Sequence, residues 1–196
     1  MFFKRKKERG DMIIKRPYIE ITDREVDSIY LSPPVKRVEF GEVKVGEVYA
    51  CNGIEKVRMR NSEFRSIYFV GESYDDKDVE NWEIKGCDIV VINGERRRFG
   101  EMYIEDSNIG LINLHRGEID ELGMRNTLIG RMDLSGVNAG KIKFERCGID
   151  EMNLNEANVE KFEKDRRTYF SELNLRNVEE ITFLIPTKSN SKGKKE

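Results

Sequence analysis

Residues 132–161 read MDLSG VNAGK IKFER CGIDE MNLNE ANVEK when they are divided into groups of five. The third residue of every group is apolar, and it continues a series that runs for about a hundred residues with one interruption, at Gly94. A period of five is neither 3.6 nor 2, so neither a long amphipathic helix nor an ordinary alternating strand produces it. A fixed short period predicts a solenoid, in which each unit buries its apolar face by stacking on its neighbours.

A second column lies two residues before the first, and it alternates large and small side chains at ten-residue spacing. It repeats every 20 residues, which predicts a coil of about 20 residues with four five-residue sides. Stacked strands would lie about 4.8 Å apart, with both columns pointing inward. The large members include Trp82, Ile92, Met102, Ile112, Leu122, Met132, Ile142 and Met152, and the small ones include Cys87, Ser107, Thr127 and Cys147.

Three units, residues 132–136, 152–156 and 157–161, resemble the pentapeptide-repeat family, whose consensus is a small residue, Asp or Asn, Leu or Phe, and two variable residues. The resemblance covers roughly residues 57–161 and implies an all-β fold, a right-handed parallel β-helix of quadrilateral section. In this chain the first consensus position alternates small residues with Met, Ile, Leu or Trp. A flattened or triangular coil therefore stays open beside the square one.

A second resemblance is to the bactofilin type of β-helix, which forms cytoskeletal polymers. It is carried by residues 46–50, GEVYA, and by the start of the chain, residues 1–7, MFFKRKK. This resemblance implies a membrane-associated polymer as the alternative function. Acidic pentapeptide-repeat proteins mimic DNA and bind topoisomerases, which implies a third alternative, a binder of a nucleic-acid enzyme.

Composition and phase divide one 196-residue domain into four segments. Residues 1–37 are expected to form a basic head and N-terminal cap, with a short strand at residues 18–22. The β-helix is expected over residues 38–161, with a one-residue phase slip near Gly53. A C-terminal cap of irregular or short α/β structure follows over residues 162–186, and residues 187–196 have the composition of a disordered tail.

Several patterns indicate a cytoplasmic protein. Charged residues make up 37% of the chain, and no apolar run approaches the roughly 18 residues of a membrane span. No secretory signal is recognisable at the start. Cys51, Cys87 and Cys147 form no CxxC pair, and the last two fall in the small inward column, as expected for buried thiols in a reducing compartment. The lack of glutamine, with abundant Lys, Arg and Glu, is typical of thermophiles.

Charge is segregated along the chain. Residues 1–37 contain ten cations and six anions, and residues 161–196 contain nine and six, so the body carries −9 against a total of −2. This distribution of charge, an acidic body with basic ends, is one candidate feature by which a partner could recognise the protein. The head could contact anionic membrane, nucleic acid or nothing. Of the two binding interpretations, contact with a membrane is favoured over contact with nucleic acid. Its candidate contact residues are Phe2, Phe3, Lys4, Arg5, Lys6, Lys7 and Arg9.

We identify no catalytic, cofactor or metal site in the sequence. The single histidine, His115, follows inward Leu114 and is expected to be solvated. No Ser or Cys lies in a nucleophile motif, and His115 has no Cys partner at a metal-ligand spacing. We therefore expect a protein that is not an enzyme and uses no cofactor.

One group of apolar residues is expected to face outward on one side of the rod. A stacked stripe of exposed apolar side chains indicates an interface, unless a terminal segment of the same chain covers it. The sequence therefore predicts a scaffold that binds a protein partner or itself, as a dimer or polymer. The candidate interface residues are Tyr68, Val70, Val90, Val91, Leu111 and Leu128. Residues 20 apart are expected to stack, so that Val70, Val90, Gly110 and Gly130 form one row and Val91 and Leu111 lie in the next.

Overall fold

The computed structural model describes residues 6–70, 79–176 and 183–184, and all the regular structure among them is β-strand. Each strand is short, and consecutive strands are joined by turns. The strands are β1 (Lys6–Ile14), β2 (Tyr18–Thr22), β3 (Arg24–Leu31), β4 (Arg37–Gly41), β5 (Lys44–Ala50), β6 (Ile54–Arg60), β7 (Glu63–Phe69), β8 (Val79–Lys85), β9 (Asp88–Asn93), β10 (Arg98–Glu105), β11 (Asn108–Asn113), β12 (Glu118–Arg125), β13 (Leu128–Asp133), β14 (Asn138–Glu145), β15 (Gly148–Asn153), β16 (Asn158–Lys164), β17 (Tyr169–Asn174) and β18 (Phe183–Leu184).

Within the described residues the strands form two parallel sheets of nine strands each. The odd-numbered strands make sheet A, from β1 to β17, and the even-numbered strands make sheet B, from β2 to β18. The chain therefore passes from one sheet to the other at every turn and returns one strand further along. Glu118 pairs with Arg98 in one direction and with Asn138 in the other. The predicted all-β, parallel solenoid, with strands stacked about 20 residues apart, is confirmed.

Both predicted inward columns form the core. Leu134 and Met132, members of the two columns, are 0% exposed, and the buried cluster extends from Ile14 to Phe162. Cys87, Ser107 and Thr127 are buried as predicted, in the small column. The polar members of this column are satisfied locally, since the Ser107 hydroxyl donates to the Glu105 carbonyl oxygen at 2.8 Å and accepts the Cys87 N–H at 3.1 Å.

Many of the turns contain a residue with positive φ. After even strands these residues include Asp106 and Asn126, with φ of 52° and 49°, and after odd strands they include Arg116, with φ of 53°. Their N–H groups bond to the next coil, as from Asp106 to the Arg125 carbonyl oxygen at 3.0 Å. Among residues other than glycine, Asn and Asp tolerate this left-handed conformation best, and they account for four of the nine such positions in the described residues, the others being Arg or Glu.

Most strands are also creased in the middle. The register of β9, β11 and β13 omits Val90, Gly110 and Gly130, although the residues on both sides of each are paired. In sheet B the register of β10 and β12 omits Gly100 and Asp120. Two turns and two creases divide these coils into four sides, which agrees with the period of five.

The number of residues per coil changes along the rod, which the sequence analysis missed. Val45 pairs with Phe64, a spacing of 19, but Phe64 pairs with Ile89, a spacing of 25, and later coils have 20. Five extra residues equal one unit, so the five-residue phase continues across the insertion unchanged. Because of this shift, Arg65 and not Val70 lies beside Val90, and the expected stacking of these two valines is wrong.

The interruption of the apolar series at Gly94 has a packing reason. A Cβ at Gly94 would lie 2.6 Å from Cζ of Phe99 and 3.0 Å from Cδ2 of Leu114. The ring of Phe99 therefore fills the place of the missing side chain. Phe99 also packs 5.0 Å from Phe69 and 6.2 Å from Trp82, measured between ring centroids.

Near the C-terminal end, Asp165 ties the turn after β16 to the previous coil. Its Oδ1 accepts hydrogen bonds from Arg146 N at 3.0 Å, Arg167 N at 3.2 Å and Thr168 Oγ1 at 2.7 Å. Burial pushes the pKa of this carboxyl up, but these bonds and one from the Thr168 N–H hold it below its usual value.

The ladder of strands extends into the predicted terminal segments. The short strand expected at residues 18–22 is β2, and β1 and β3 also lie in the segment predicted as head and cap. At the other end, β17 and β18 continue the two sheets within the predicted cap. The predicted tail, residues 187–196, lies outside the described residues. Whether the terminal coils fold as separate caps stays a prediction.

Candidate interaction surface

The outer face of sheet B carries rows of charge that alternate in sign. Arg58 Nε donates to Glu83 Oε2 at 2.8 Å and Arg58 Nη1 to Glu39 Oε1 at 3.2 Å, joining three consecutive strands. Lys56 adds a contact of 2.7 Å to Glu83. Burial opposes ionisation of Glu83, but its bonds to Lys56 and Arg58 lower its pKa below the usual value.

The same pattern continues along β8 to β16. In each of these pairs a cation lies against a carboxylate of the same or an adjacent strand, so sheet B presents a polar surface that largely neutralises itself. The pairs are Lys85–Glu105 at 2.7 Å, Arg125–Glu105 at 3.5 Å, Lys141–Glu121 at 2.8 Å, Lys143–Glu145 at 2.6 Å and Lys161–Glu163 at 2.7 Å.

The outer face of sheet A holds five of the six predicted interface residues, and the sixth, Val70, directly follows β7. Val91 and Leu111 are half-buried and pair side by side in β9 and β11. Val90 and Leu128 are 59% and 56% exposed. Val90 lies in line with Gly110 and Gly130, as predicted, whereas Leu128 belongs to a different row, beside Asn108 and Gly148. We call this face, from β1 to β17, the sheet A face.

Tyr68, the remaining predicted residue, ends a tyrosine stack that sequence reasoning missed. The rings of Tyr30, Tyr49 and Tyr68 are stacked on consecutive odd strands, with centroids 4.7 Å and 5.4 Å apart. Ile13, which pairs with Tyr30, continues the row and is 64% exposed. The three tyrosines recur in the sequence at a spacing of 19. An assumed spacing of 20 residues per coil does not align them.

The stack is anchored by a carboxylate. The Tyr49 hydroxyl donates to Glu47 Oε2 at 2.7 Å. This hydrogen bond, reinforced by burial and by the negative charge of Glu47, raises the pKa of Tyr49 to about 12. The tyrosine remains a neutral donor at physiological pH, and its ring is held in one orientation.

A groove of about 800 Å³ runs across the sheet A face from β3 to β17, over the first residues of each strand. Two rows of outward residues line it, and their charged members are concentrated toward β3. One row is Glu25, Lys44, Glu63, Asp88, Asn108, Leu128, Gly148 and Tyr169, and the other, along the crease, is Asp27, Gly46, Arg65, Val90, Gly110, Gly130 and Asp150. We call this feature the sheet A groove.

Glycines keep the groove open toward β17. A Cβ at Gly110 would lie 2.6 Å from the Val90 carbonyl oxygen, so only glycine fits that backbone at the crease. Gly148 is buried beneath the ring of Tyr169, whose hydroxyl would lie 2.5 Å from an added Cβ, and beside Leu128. Leu128 and Tyr169, both 56% exposed, form an apolar patch over this glycine.

His115 is not solvated as expected but half-buried in a hydrogen-bonded chain. Its Nδ1 lies 2.7 Å from Ser135 Oγ, and the Ser135 hydroxyl donates to Asp133 Oδ1 at 2.6 Å. Because the single hydroxyl proton goes to Asp133, His115 Nδ1 acts as the donor to Ser135. The imidazole therefore does not serve as a base toward this serine, in contrast to a nucleophile–base pair.

The three cysteines are unpaired thiols. Cys87 and Cys147 are buried and Cys51 is half-buried. Burial raises the pKa of all three thiols above the usual value, although hydrogen bonds with the backbone partly oppose it. They are therefore held as thiols and not as reactive thiolates.

The predicted basic head lies largely outside the described side chains. Phe2, Phe3, Lys4 and Arg5 fall before the first described residue, and Lys6, Lys7 and Arg9 are described as backbone of β1. In that strand Lys7 pairs with Glu25 of β3, at the start of the sheet A groove. The contact of the head with membrane or another anion stays a prediction.

In the described part of the chain, no three or more His, Cys, Asp or Glu side chains are grouped so that they could hold a metal ion. Over the same residues, no helix has the length and apolarity needed to span a bilayer. Comparisons with protein-family models, with curated proteins and with solved structures give no match.

Proposed function

We propose that the protein is a non-enzymatic β-helix scaffold that binds a protein partner, or a second copy of itself, through the sheet A face. The observation that carries this proposal is the difference between the two faces. Sheet B pairs its charges in rows. Sheet A also has charged residues, with ion pairs such as Lys44–Glu63, but it adds a tyrosine stack, five outward aliphatic side chains and glycines. Tyrosines and clustered apolar residues are enriched at the cores of protein interfaces, where charged residues are depleted.

The finer assignment, a pentapeptide-repeat-like protein, belongs to the same proposal. In residues 132–136, Met132 and Leu134 are buried, Asp133 is partly exposed, and Ser135 and Gly136 form the turn. The first and third residues of this unit are inward and Asp133 and Leu134 match the consensus, whereas Met132 stands where the family has a small residue. The DNA-mimic alternative needs unbroken rows of carboxylates, and the alternating charges on sheet B do not favour it.

The test replaces Val91 and Leu111 by lysine in one variant. Both side chains face outward, so we expect the assembly state measured by light scattering to fall while the melting temperature stays near that of the wild type. The matched control replaces Asn138 and Asn158, an exposed neighbouring pair on sheet B, by lysine and adds the same charge.

Two results would contradict this proposal. A variant that melts far below the wild type while the protein stays monomeric means that a terminal segment of the same chain covers the face. If neither assembly nor stability changes, self-association through the sheet A face is rejected.

End-to-end assembly at a membrane, similar to bactofilins, is a second candidate. It is favoured by the parallel ladder itself, because β1 and β17 are the edge strands of sheet A and edge strands can pair with another chain. Since residues 6–9 belong to β1, the clean test of the head removes only residues 1–5. Loss of binding to anionic vesicles, with unchanged melting, would support this candidate, whereas unchanged vesicle binding would refute a role for the head.

A further inference from the structure

The sheet A groove is divided into a charged half and an apolar half. Five carboxylates and two cations line it, a net charge of −3. Four of the carboxylates and both cations lie in the half from β3 to β9, which therefore has a net charge of −2, and Lys44 pairs there with Glu63 at 2.8 Å. From Val90 onward the lining is mainly Gly110, Leu128, Gly130, Gly148 and Tyr169, with Asp150 as the one charged residue. A ligand that matches both halves must carry positive charge at one end and apolar groups at the other.

The dimensions of the groove match an extended chain. It crosses eight strands of sheet A, which at about 4.8 Å per strand gives a length of roughly 34 Å. An extended polypeptide rises about 3.3 Å per residue, so about ten residues fill the groove. The glycines along the crease let such a segment approach the backbone closely.

A second copy fits this groove less well. Face-to-face contact between two copies requires a two-fold axis in the plane of contact. An axis parallel to the rod places each acidic half on the same acidic half. An axis perpendicular to the rod places each acidic half on the apolar half, which desolvates its net negative charge and brings no cations to it.

We propose that the sheet A groove binds an extended cationic segment of a partner protein, with basic residues over the acidic half and apolar residues over the Leu128–Tyr169 patch. This inference rests on the proposed scaffold function and specifies its partner chemistry. The cations face the exposed carboxylates of Asp27 and Asp88, because Glu63 already pairs with Lys44 at 2.8 Å. The aliphatic or aromatic residues cover Val90 and Leu128. The segment therefore binds in one direction along the rod.

The experiment titrates the full chain with a synthetic decapeptide that has lysines at one end and leucine and phenylalanine at the other. Its charge-reversed version, with glutamates in place of the lysines, is the control ligand. We expect the cationic peptide to bind in a salt-dependent way and the anionic one not to bind. Reversing the block order of the peptide leaves its composition unchanged and is expected to weaken binding, since a peptide backbone has a direction.

Variants of the protein locate the site. Replacing Asp27 and Asp88 by lysine, or Val90 and Leu128 by serine, is expected to weaken binding about tenfold, the equivalent of roughly 1.4 kcal/mol. The matched control replaces Glu101 and Glu160, two exposed carboxylates on sheet B, by lysine and should leave binding unchanged.

Three results would overturn the inference. Equal weakening by the sheet B control means that the peptide responds only to net charge. Tighter peptide binding after removal of residues 187–196 means that the chain's own tail occupies the groove. Absence of peptide binding, while the Val91 and Leu111 variant still lowers the assembly state, rejects the groove as a peptide site and leaves the scaffold function standing. Absence of both effects rejects the groove as a peptide site and also rejects self-association through the sheet A face.

Discussion

Leu134 and Leu128 are six residues apart, but the same substitution to alanine is expected to destabilise the protein strongly at Leu134 and hardly at all at Leu128. Leu134 is 0% exposed and stacks in the column of Leu114 and Leu154, whereas Leu128 is 56% exposed on the sheet A face. Leu134→Ala removes three carbons from the core, which costs about 2.4 kcal/mol in lost burial at about 0.8 kcal/mol per carbon. The strands above and below limit collapse of the cavity, so we expect a total of about 3–4 kcal/mol.

Leu128→Ala is the matched control and should change the free energy of unfolding by no more than about 0.5 kcal/mol. For a chain of this length, about 3 kcal/mol corresponds to a fall of about 6–12 °C in melting temperature. Trp82 is the single tryptophan and is buried, so its fluorescence reports the unfolding of the core. Leu134→Asp also buries an unpaired carboxylate and should prevent folding. A Leu134→Ala variant that melts with the wild type, or a Leu128→Ala variant that is equally destabilised, would refute the inward column.

Three further changes test local features. Gly94→Ala should lower the free energy of unfolding, measured by denaturant titration, by about 1–3 kcal/mol, because the added methyl group meets the ring of Phe99. Gly41→Ala is the control and should cost less, since its methyl group makes only an ordinary contact at 3.4 Å. Glu47→Gln should lower the pKa of Tyr49 from about 12 toward 10, which the absorbance of phenolate measures. The stabilisation from the Tyr49–Glu47 hydrogen bond is complete below pH 10 and is lost as pH rises through about 12. Asp165 has a lowered pKa, so its stabilisation is present above about pH 4 and is lost as pH falls through the folded value; Asp165→Asn should remove that part of the acid sensitivity of melting, and an unchanged acid limb would contradict it.

For the candidate surface, the sequence predicts which residues face outward but not which of them are neighbours on adjacent coils. Val91, Leu111 and Leu128 could be placed on one face because an outward position is defined by its distance from the inward columns. The partners of these residues on neighbouring coils could not all be placed. Val70 shows the reason: a five-residue insertion preserves the inward phase but changes which residues stack.

The tyrosine stack and the groove depend on that same register. The stack appears only when β3, β5 and β7 are aligned at a spacing of 19, and the groove appears only when eight strands are in place. His115 likewise acquires its partner, Ser135, from the next coil, so its burial could not be read from the adjacent Leu114.

By itself, then, the sequence determined the solenoid, the two inward columns and the approximate length of the coil, because a period of five is a local property that each unit repeats. Only the tertiary structure decided the register between coils, the pairing of four sides into two sheets, and the difference between a face of paired charges and a face with a tyrosine stack and a glycine-lined groove. These features arise between residues of successive coils. A column that accepts any apolar residue does not specify which residue of one coil pairs with which residue of the next. Gly94 shows this most simply, since its missing side chain is a defect in the sequence pattern and a filled position in the core.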